Sequence, residues 1–243
     1  MEQDEQTINT NEFERKQPII STGNNEIDKR LGGGIPMGSL TLVEGQSDAG
    51  KSVLSQQLMW GSLHDLHKVV LFTTENSIKS LVTQMQSLGL DVLDQLLMGW
   101  MKIYTLEATK TDPATIFDKL LEAMETLEQY ELFVVDSLTP LVAYSSLEDT
   151  LSYFERCRRL CDREKTIINI SHSFAFNEEI LIRIRSICDA HLRLSIEEVG
   201  DKLLKTLEVG KIRGADKGTG NIISFDVEPG IGMKILPLSK AKV

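Results

Sequence analysis

Two kinds of apolar pattern alternate along the chain. Short apolar runs occur at Ser39–Val43, Val69–Thr74, Met101–Leu106, Leu132–Val135 and Thr166–Ile170. Their length and β-branched content read as strands. Between them, apolar residues recur at helical spacing. Ile78, Leu81, Val82, Met85 and Leu88 share one helix face. So do Ile116, Phe117, Leu120, Leu121, Met124 and Leu127, behind a Pro113 well placed for a first helical turn. Leu147, Leu151, Phe154, Cys157 and Cys161 mark a third helix, and Ile180, Leu181, Ile184 and Ile187 a fourth. A further helix should open at Lys51.

After about residue 191 the period changes to that of strands, at roughly 191–197, 203–212, 221–227 and 232–236. Turn signals separate them at Gly200-Asp201, Gly214 to Gly220 and Pro229-Gly230. Alternating strands and helices followed by hairpins predict an α/β fold. Its central sheet should be mainly parallel and flanked by helices, with an antiparallel C-terminal edge. Residues 1–17 read as a polar, flexible leader, and residues 18–243 as one domain.

Composition narrows the class. The 243 residues are 41% hydrophobic and 26% charged, ordinary for one globular domain with a full core. No apolar run approaches the ~18 residues of a membrane span, so no direct membrane insertion is expected. The opening MEQDEQTINTNEFERK is not a signal peptide, which points to the cytoplasm. With 36 acidic against 26 basic residues the formal charge is −10, a field that repels nucleic acid on average. Cys157, Cys161 and Cys188 read as buried thiols, since no second ligand pair follows them.

The chemistry starts at Val43–Ser52, VEGQSDAGKS, which fits G-x-x-x-x-G-K-[ST] from Gly45 to Ser52. The pattern follows an expected strand and opens an expected helix, the context a phosphate-binding loop requires. Gly45, Gln46, Ser47, Asp48, Ala49, Gly50, Lys51, Ser52 and Val53 would form the nucleotide cradle. The glycines allow the tight path that turns backbone N–H groups to the phosphates. Lys51 places its charge on the β- and γ-phosphates, and Ser52 offers a hydroxyl to Mg²⁺. Asp136 closes the apolar strand Leu132–Val135, as a magnesium-binding aspartate should, and the group held would be ATP with Mg. Glu75 ends the second strand, placed either to orient the attacking water or to cap the next helix, where Asn76 and Ser77 are also good caps. His172 follows the Thr166–Ile170 strand, either as a polar sensor of the γ-phosphate or as an ordinary satisfied histidine.

Two blocks carry a resemblance. Ser21–Asp28 with Leu31-Gly-Gly-Gly-Ile-Pro36, and Lys211-Ile-Arg213-Gly214, are similar to the KaiC-type branch of the RecA superfamily. Asp28–Pro36, Lys51–Gln56, Glu197–Gly200, Lys202–Gly214 and Leu238–Lys242 resemble, within that branch, the archaellum ATP-binding (FlaH) family. The likeness runs from about residue 18 to the end. It implies a RecA/KaiC-like P-loop domain, a homo-hexameric ring with ATP between subunits, and docking on the archaellum motor. The partners it implies are the motor ATPase FlaI, the membrane platform FlaJ and a scaffold ring. It also implies that Lys211 and Arg213 reach the neighbour's nucleotide in trans; the other role for them is a solvated basic pair at a hairpin end.

Departures from the family pattern bear on turnover. KaiC-type hydrolases carry two adjacent glutamates after the second strand, whereas here Asn76 follows Glu75. Asp48 adds negative charge to the phosphate loop. Both features point to an ATP-binding regulatory subunit with slow or no hydrolysis. The alternatives are a DNA-stimulated RecA-like ATPase and a KaiC-like autokinase. Phe174 and Phe176 precede an acidic Asn177-Glu178-Glu179, which favours protein over DNA as the contact of that loop. Arg156, Arg158, Arg159 and Arg163, interleaved with acids, read as a solvated helix face.

Overall fold

The computed structural model describes residues 18–107, 112–199, 202–214 and 221–237. The leader 1–17, the Gly200-Asp201 turn, residues 215–220 and the Leu238–Lys242 block lie outside the described residues.

The chain opens with a small clasp. Strands β1 (Ile19–Ile20) and β2 (Ile35–Pro36) pair antiparallel around helix α1 (Asn25–Arg30). Asn24 caps α1 by accepting from the Glu26 and Ile27 N–H groups. Asp28 is buried and accepts from the Ser21 hydroxyl at 2.7 Å, the Thr22 hydroxyl at 2.7 Å and the Thr22 N–H at 2.9 Å. These bonds give the Ser21–Asp28 block a structural task, which apolar periodicity did not reveal.

Then follow β3 (Leu40–Gly45), α2 (Lys51–His64), β4 (Val69–Thr73), α3 (Ile78–Ser87), a short α4 (Leu93–Leu97) and β5 (Met101–Thr105). Next come α5 (Pro113–Thr126), β6 (Leu132–Asp136), a short α6 (Thr139–Val142), α7 (Leu147–Cys161) and β7 (Thr166–His172). A 3₁₀ turn at Ser173–Ala175 leads to α8 (Glu178–Ile187). The last strands are β8 (Ala190–Val199), β9 (Lys202–Ile212), β10 (Ile222–Glu228) and β11 (Gly232–Ile235). Each anticipated strand and long helix is present; α4 and α6 are too short for a periodic signal.

The described strands build a nine-stranded sheet in the order β11-β10-β9-β8-β3-β7-β6-β4-β5. Pairing is parallel from β8 through β5 and antiparallel from β8 to β11. One face packs Val43, Leu54, Leu58, Met85, Leu207 and Phe225 under α1, α2 and α3; the other packs Leu42, Phe117, Leu121, Phe154, Leu160 and Ile184 under α5, α7 and α8. Every residue of β3 is buried, as expected for a central strand covered on both faces.

Register decides what meets what. Gly45 lies opposite His172, Asp136 opposite Ile170, and Thr73 opposite Asp136. The phosphate loop, Glu75, Asp136 and His172 therefore share one carboxyl-terminal edge, the usual ligand position in an open parallel sheet.

Candidate functional site

The loop after β3 is shaped by what surrounds it. A Cβ on Gly45 would stand 2.5 Å from the Leu194 carbonyl oxygen of β8, so only glycine fits. Gly50 has φ +95°, the left-handed region, at the N-cap of α2, and no side chain caps that helix. The first-turn N–H groups of α2 are thus left for an anion. Gln46 anchors the loop: its side chain accepts from the Ile196 N–H at 2.9 Å and its own N–H donates to the Leu194 carbonyl at 3.3 Å.

A cavity of about 530 Å³ opens over this loop, lined by Asp48, Lys51, Ser52, Glu75, His172 and Lys205 among others. Lys51 is buried and donates to the Gln46 carbonyl at 2.6 Å, with the His172 Nδ1 at 3.4 Å. Burial lowers its affinity for a proton, opposed by Glu75, Asp136 and Asp48. Burial and the Lys51 charge also hold His172 below its ordinary range. A neutral imidazole beside a desolvated ammonium is a fitting reader of a terminal phosphate.

Asp136 is 6% exposed. Its Oδ2 accepts from the Ser55 hydroxyl at 3.2 Å, while its Oδ1 is buried without a partner among the described residues. Burial first, and the Glu75 charge second, push its carboxyl up to about 6. A buried carboxylate oxygen with no donor, beside the Ser52 hydroxyl, fits a divalent cation such as Mg²⁺. Glu75 stands exposed at the rim. Helix α3 is capped by Ser77, which accepts from the Ser80 N–H, so Glu75 carries no capping duty.

The raised Asp136 value has a stability consequence. Its folded value, about 6, lies above the ordinary 3.8, so the native state holds this proton more tightly than the unfolded chain. Stability from this group is lost as pH rises from about 4 to 6, on the order of 3 kcal/mol at most. Without nucleotide, D136N is therefore expected to melt above the wild type at pH 7.5. The gap should close toward pH 4.5 in thermal scans; a gap independent of pH would contradict the assignment.

Lys211 and Arg213 do not come to this cavity. Lys211 pairs with His191, which pairs with Leu42, so both cations sit beside the first half of β3, at the opposite edge. The Lys211 ammonium donates to the carbonyls of Arg185 and Cys188. The Arg213 guanidinium donates to Asp189 at 3.5 Å and is half exposed. Arg158 departs from the solvated face expected of it: it binds the buried Asp189 carboxylate, which also accepts from the Leu40 N–H at 3.0 Å. Arg156 pairs with Asp118 across to α5.

A second buried ionic group lies under the loop. Glu44, the residue before Gly45, is fully buried and accepts from Arg185 of α8 and from His191 Nε2 at 2.7 Å. Burial pushes its carboxyl up, but the bonds from His191 and Arg185 outweigh that and leave it below the usual range. The signal was one glutamate closing an otherwise apolar strand; its partners, distant in sequence, gave none.

The two phenylalanines part company. Phe176 is buried against Phe154, whereas Phe174 is exposed and stacks on the His172 ring at 5.0 Å. All three cysteines are free and buried, and burial pushes the Cys157 thiol up to about 12. Among the described residues no helix is long and apolar enough to cross a membrane, and no cluster of His, Cys, Asp or Glu is fit to hold a metal by itself.

Comparison with known proteins places this architecture. A family model described as "ATPase: KaiC" matches residues 20–240. The archaeal flagellar ATP-binding protein FlaH of Sulfolobus acidocaldarius is 34% identical over 228 residues, covering 92% of this chain and 99% of that protein. The protein of the same name from Methanocaldococcus jannaschii is 30% identical over 223 residues, covering 89% and 94%. The crystal structure of flagellar accessory protein FlaH from M. jannaschii superposes with a TM-score of 0.77 at 27% identity, covering 90% of this chain and 98% of that one.

Proposed function

The chain belongs to the KaiC-type ATPases and, within them, to the archaellum FlaH family, and from that premise we propose that it is an ATP-binding regulatory subunit of the archaellum motor. Mg·ATP would lie in the cavity over α2, its γ-phosphate between Lys51, His172 and Glu75. Its metal would rest on Ser52 and Asp136, and the chemistry the ion supplies is charge neutralisation of the β- and γ-oxygens. The observation that carries the reading is the orphaned Asp136 oxygen, on a carboxylate whose other oxygen accepts from Ser55, one helix turn past the phosphate-loop Ser52.

Slow or absent turnover is supported by the stretch after β4, where Glu75 is followed by Asn76 and not by a second glutamate. Asn76 carries no charge, and its side-chain oxygen accepts from Ser80. A ring is supported by Arg213, which lies half exposed at the edge away from its own chain's cavity, where a neighbour's nucleotide could meet it. A ligand that bridges two protomers favours the assembled state by mass action. The ring would then engage the motor ATPase FlaI, with the platform FlaJ and the scaffold ring as further neighbours in the motor.

Light scattering of the pure protein should show a larger assembly with Mg·ATP than without. R213A should stay small while each chain still binds ATP. Steady-state turnover should fall far below the ~10 s⁻¹ typical of enzymes and should not respond to DNA. DNA stimulation that weakens steeply with salt would favour the RecA-like reading instead. Phosphate transfer from labelled ATP to the protein would favour an autokinase.

A further inference from the structure

The cavity contains a cation that neither the phosphate-loop pattern nor the family resemblance assigned. Lys205 lies on β9, paired with Phe225 of β10 and Ile196 of β8. Alternation along β9 puts Lys205, Leu207 and Val209 on one face, and Leu207 and Val209 are buried on the α2 side of the sheet. Lys205 is the next position on that face, just beyond the core. The Phe225 ring beside it packs under the phosphate loop, where a Cβ on Gly50 would stand 3.1 Å away. Lys205 and Val227 both line the nucleotide cavity. Among the described residues the Lys205 ammonium has neither a carboxylate partner nor a hydrogen-bond acceptor. A half-buried, unpaired ammonium in a cavity built for an anion is charge waiting for a ligand.

Topology says which part of the ligand it meets. Glu75, Asp136 and His172 gather at the ends of β4, β6 and β7, which is the γ-phosphate end on the ATP-binding reading. The cavity lining runs from Glu75 and His172 over the loop after β3 to Lys205 of β9 and Val227 of β10. From β7 to β9 is three strand spacings, about 14 Å. A nucleotide lying along that line brings its α-phosphate and ribose toward β9, within reach of a lysine side chain.

Building on the ATP-binding reading above, we propose that Lys205 is a nucleotide ligand in cis, donating to the α-phosphate. Such a contact is made within one chain and needs no ring, unlike those assigned to Lys211 and Arg213. It treats ATP and ADP alike, because both carry the α-phosphate, and it is indifferent to the base.

The test is calorimetric titration of the full chain with the Mg complexes of ATP, ADP and GTP, using K205M and K205R. K205M should bind ATP and ADP each about tenfold more weakly, with the ATP to GTP ratio unchanged, and K205R should keep most of the affinity. Unchanged affinity in K205M overturns the proposal. So does a loss confined to ATP, which would place Lys205 at the γ-phosphate, or a changed ATP to GTP ratio, which would place it at the base. A second measurement needs no variant: acetylation of Lys205 in the wild type, read by mass spectrometry, should be slowed equally by Mg·ATP and Mg·ADP. Equal acetylation with and without nucleotide overturns the proposal. K51A separates the two levels. If K51A and K205M both keep ATP, the nucleotide site itself is wrong. If only K205M keeps it, the Lys205 assignment alone falls.

Discussion

Replacing Lys51 with alanine is expected to weaken ATP binding by at least about 100-fold while leaving the chain folded, a loss near 3 kcal/mol. The size follows from the setting. Lys51 is 7% exposed, and its ammonium is held at the loop by the Gln46 carbonyl at 2.6 Å. Burial already weakens its hold on its proton, so a phosphate dianion gains a charge-assisted bond in a poorly hydrated place. Its removal leaves Asp48, Glu75 and Asp136 facing the ligand with no countercharge from α2, so repulsion adds to the lost bond. Folding should survive, because the ammonium supports the structure through one loop carbonyl. Titration calorimetry reads the affinity, and far-ultraviolet circular dichroism checks the fold. An affinity within a few-fold of wild type would remove Lys51 from the site.

The second large effect concerns stability and lies one residue upstream of the loop. R185L strips the fully buried Glu44 of its guanidinium partner, leaving only the His191 contact. Breaking a buried pair from one side costs about 3 kcal/mol, since the remaining charge has nowhere to go. At this chain length that corresponds to a fall in melting temperature of ~6–12 °C. Replacing both members with apolar residues, as in E44M with R185L, should recover most of the loss. The sign with pH is fixed by Glu44, whose carboxyl is held below its ordinary 4.5. The stability it contributes is complete above pH 4.5 and is lost as pH falls through the depressed value. The gap between wild type and R185L should therefore shrink on acidification, as thermal scans at pH 7 and pH 4 would show. A single mutant as stable as wild type would mean that the ionic group carries no net load. The same substitution should also weaken ATP binding modestly, because Glu44 roots the strand from which the phosphate loop departs.

How much of this was legible in the chain depends on the range of the signal. The strands and helices that frame the site repeat at period 2 or 3.6 and were readable residue by residue. Gly45, Lys51 and Ser52 sit within one loop, so the task proposed for them is written in one short stretch. Asp136 and His172 were readable because each ends an apolar strand, and strand ends of a parallel sheet gather at one edge. Asp28 and the clasp around α1 were not, since three short side-chain bonds leave no periodic trace. Arg158 was misread for the same reason. Its helix neighbours are acids at solvated spacing, and nothing local says that it reaches across to Asp189.

By itself, the sequence determined the α/β class, the strand-to-helix phosphate loop, the aspartate that closes the neighbouring strand, and the antiparallel end of the sheet. Each is a local pattern, fixed by backbone sterics and by which face of an element must leave water. Tertiary structure decided the rest. It placed Lys211 and Arg213 at the far edge of the sheet, put Glu44 between Arg185 and His191, and set Lys205, unpaired among the described residues, in the cavity over the phosphate loop. The reason is that an ionic contact acts over a few ångströms of space, whereas its partners lie more than a hundred residues apart, as with Glu44 and Arg185. Only strand order and register bring such groups together.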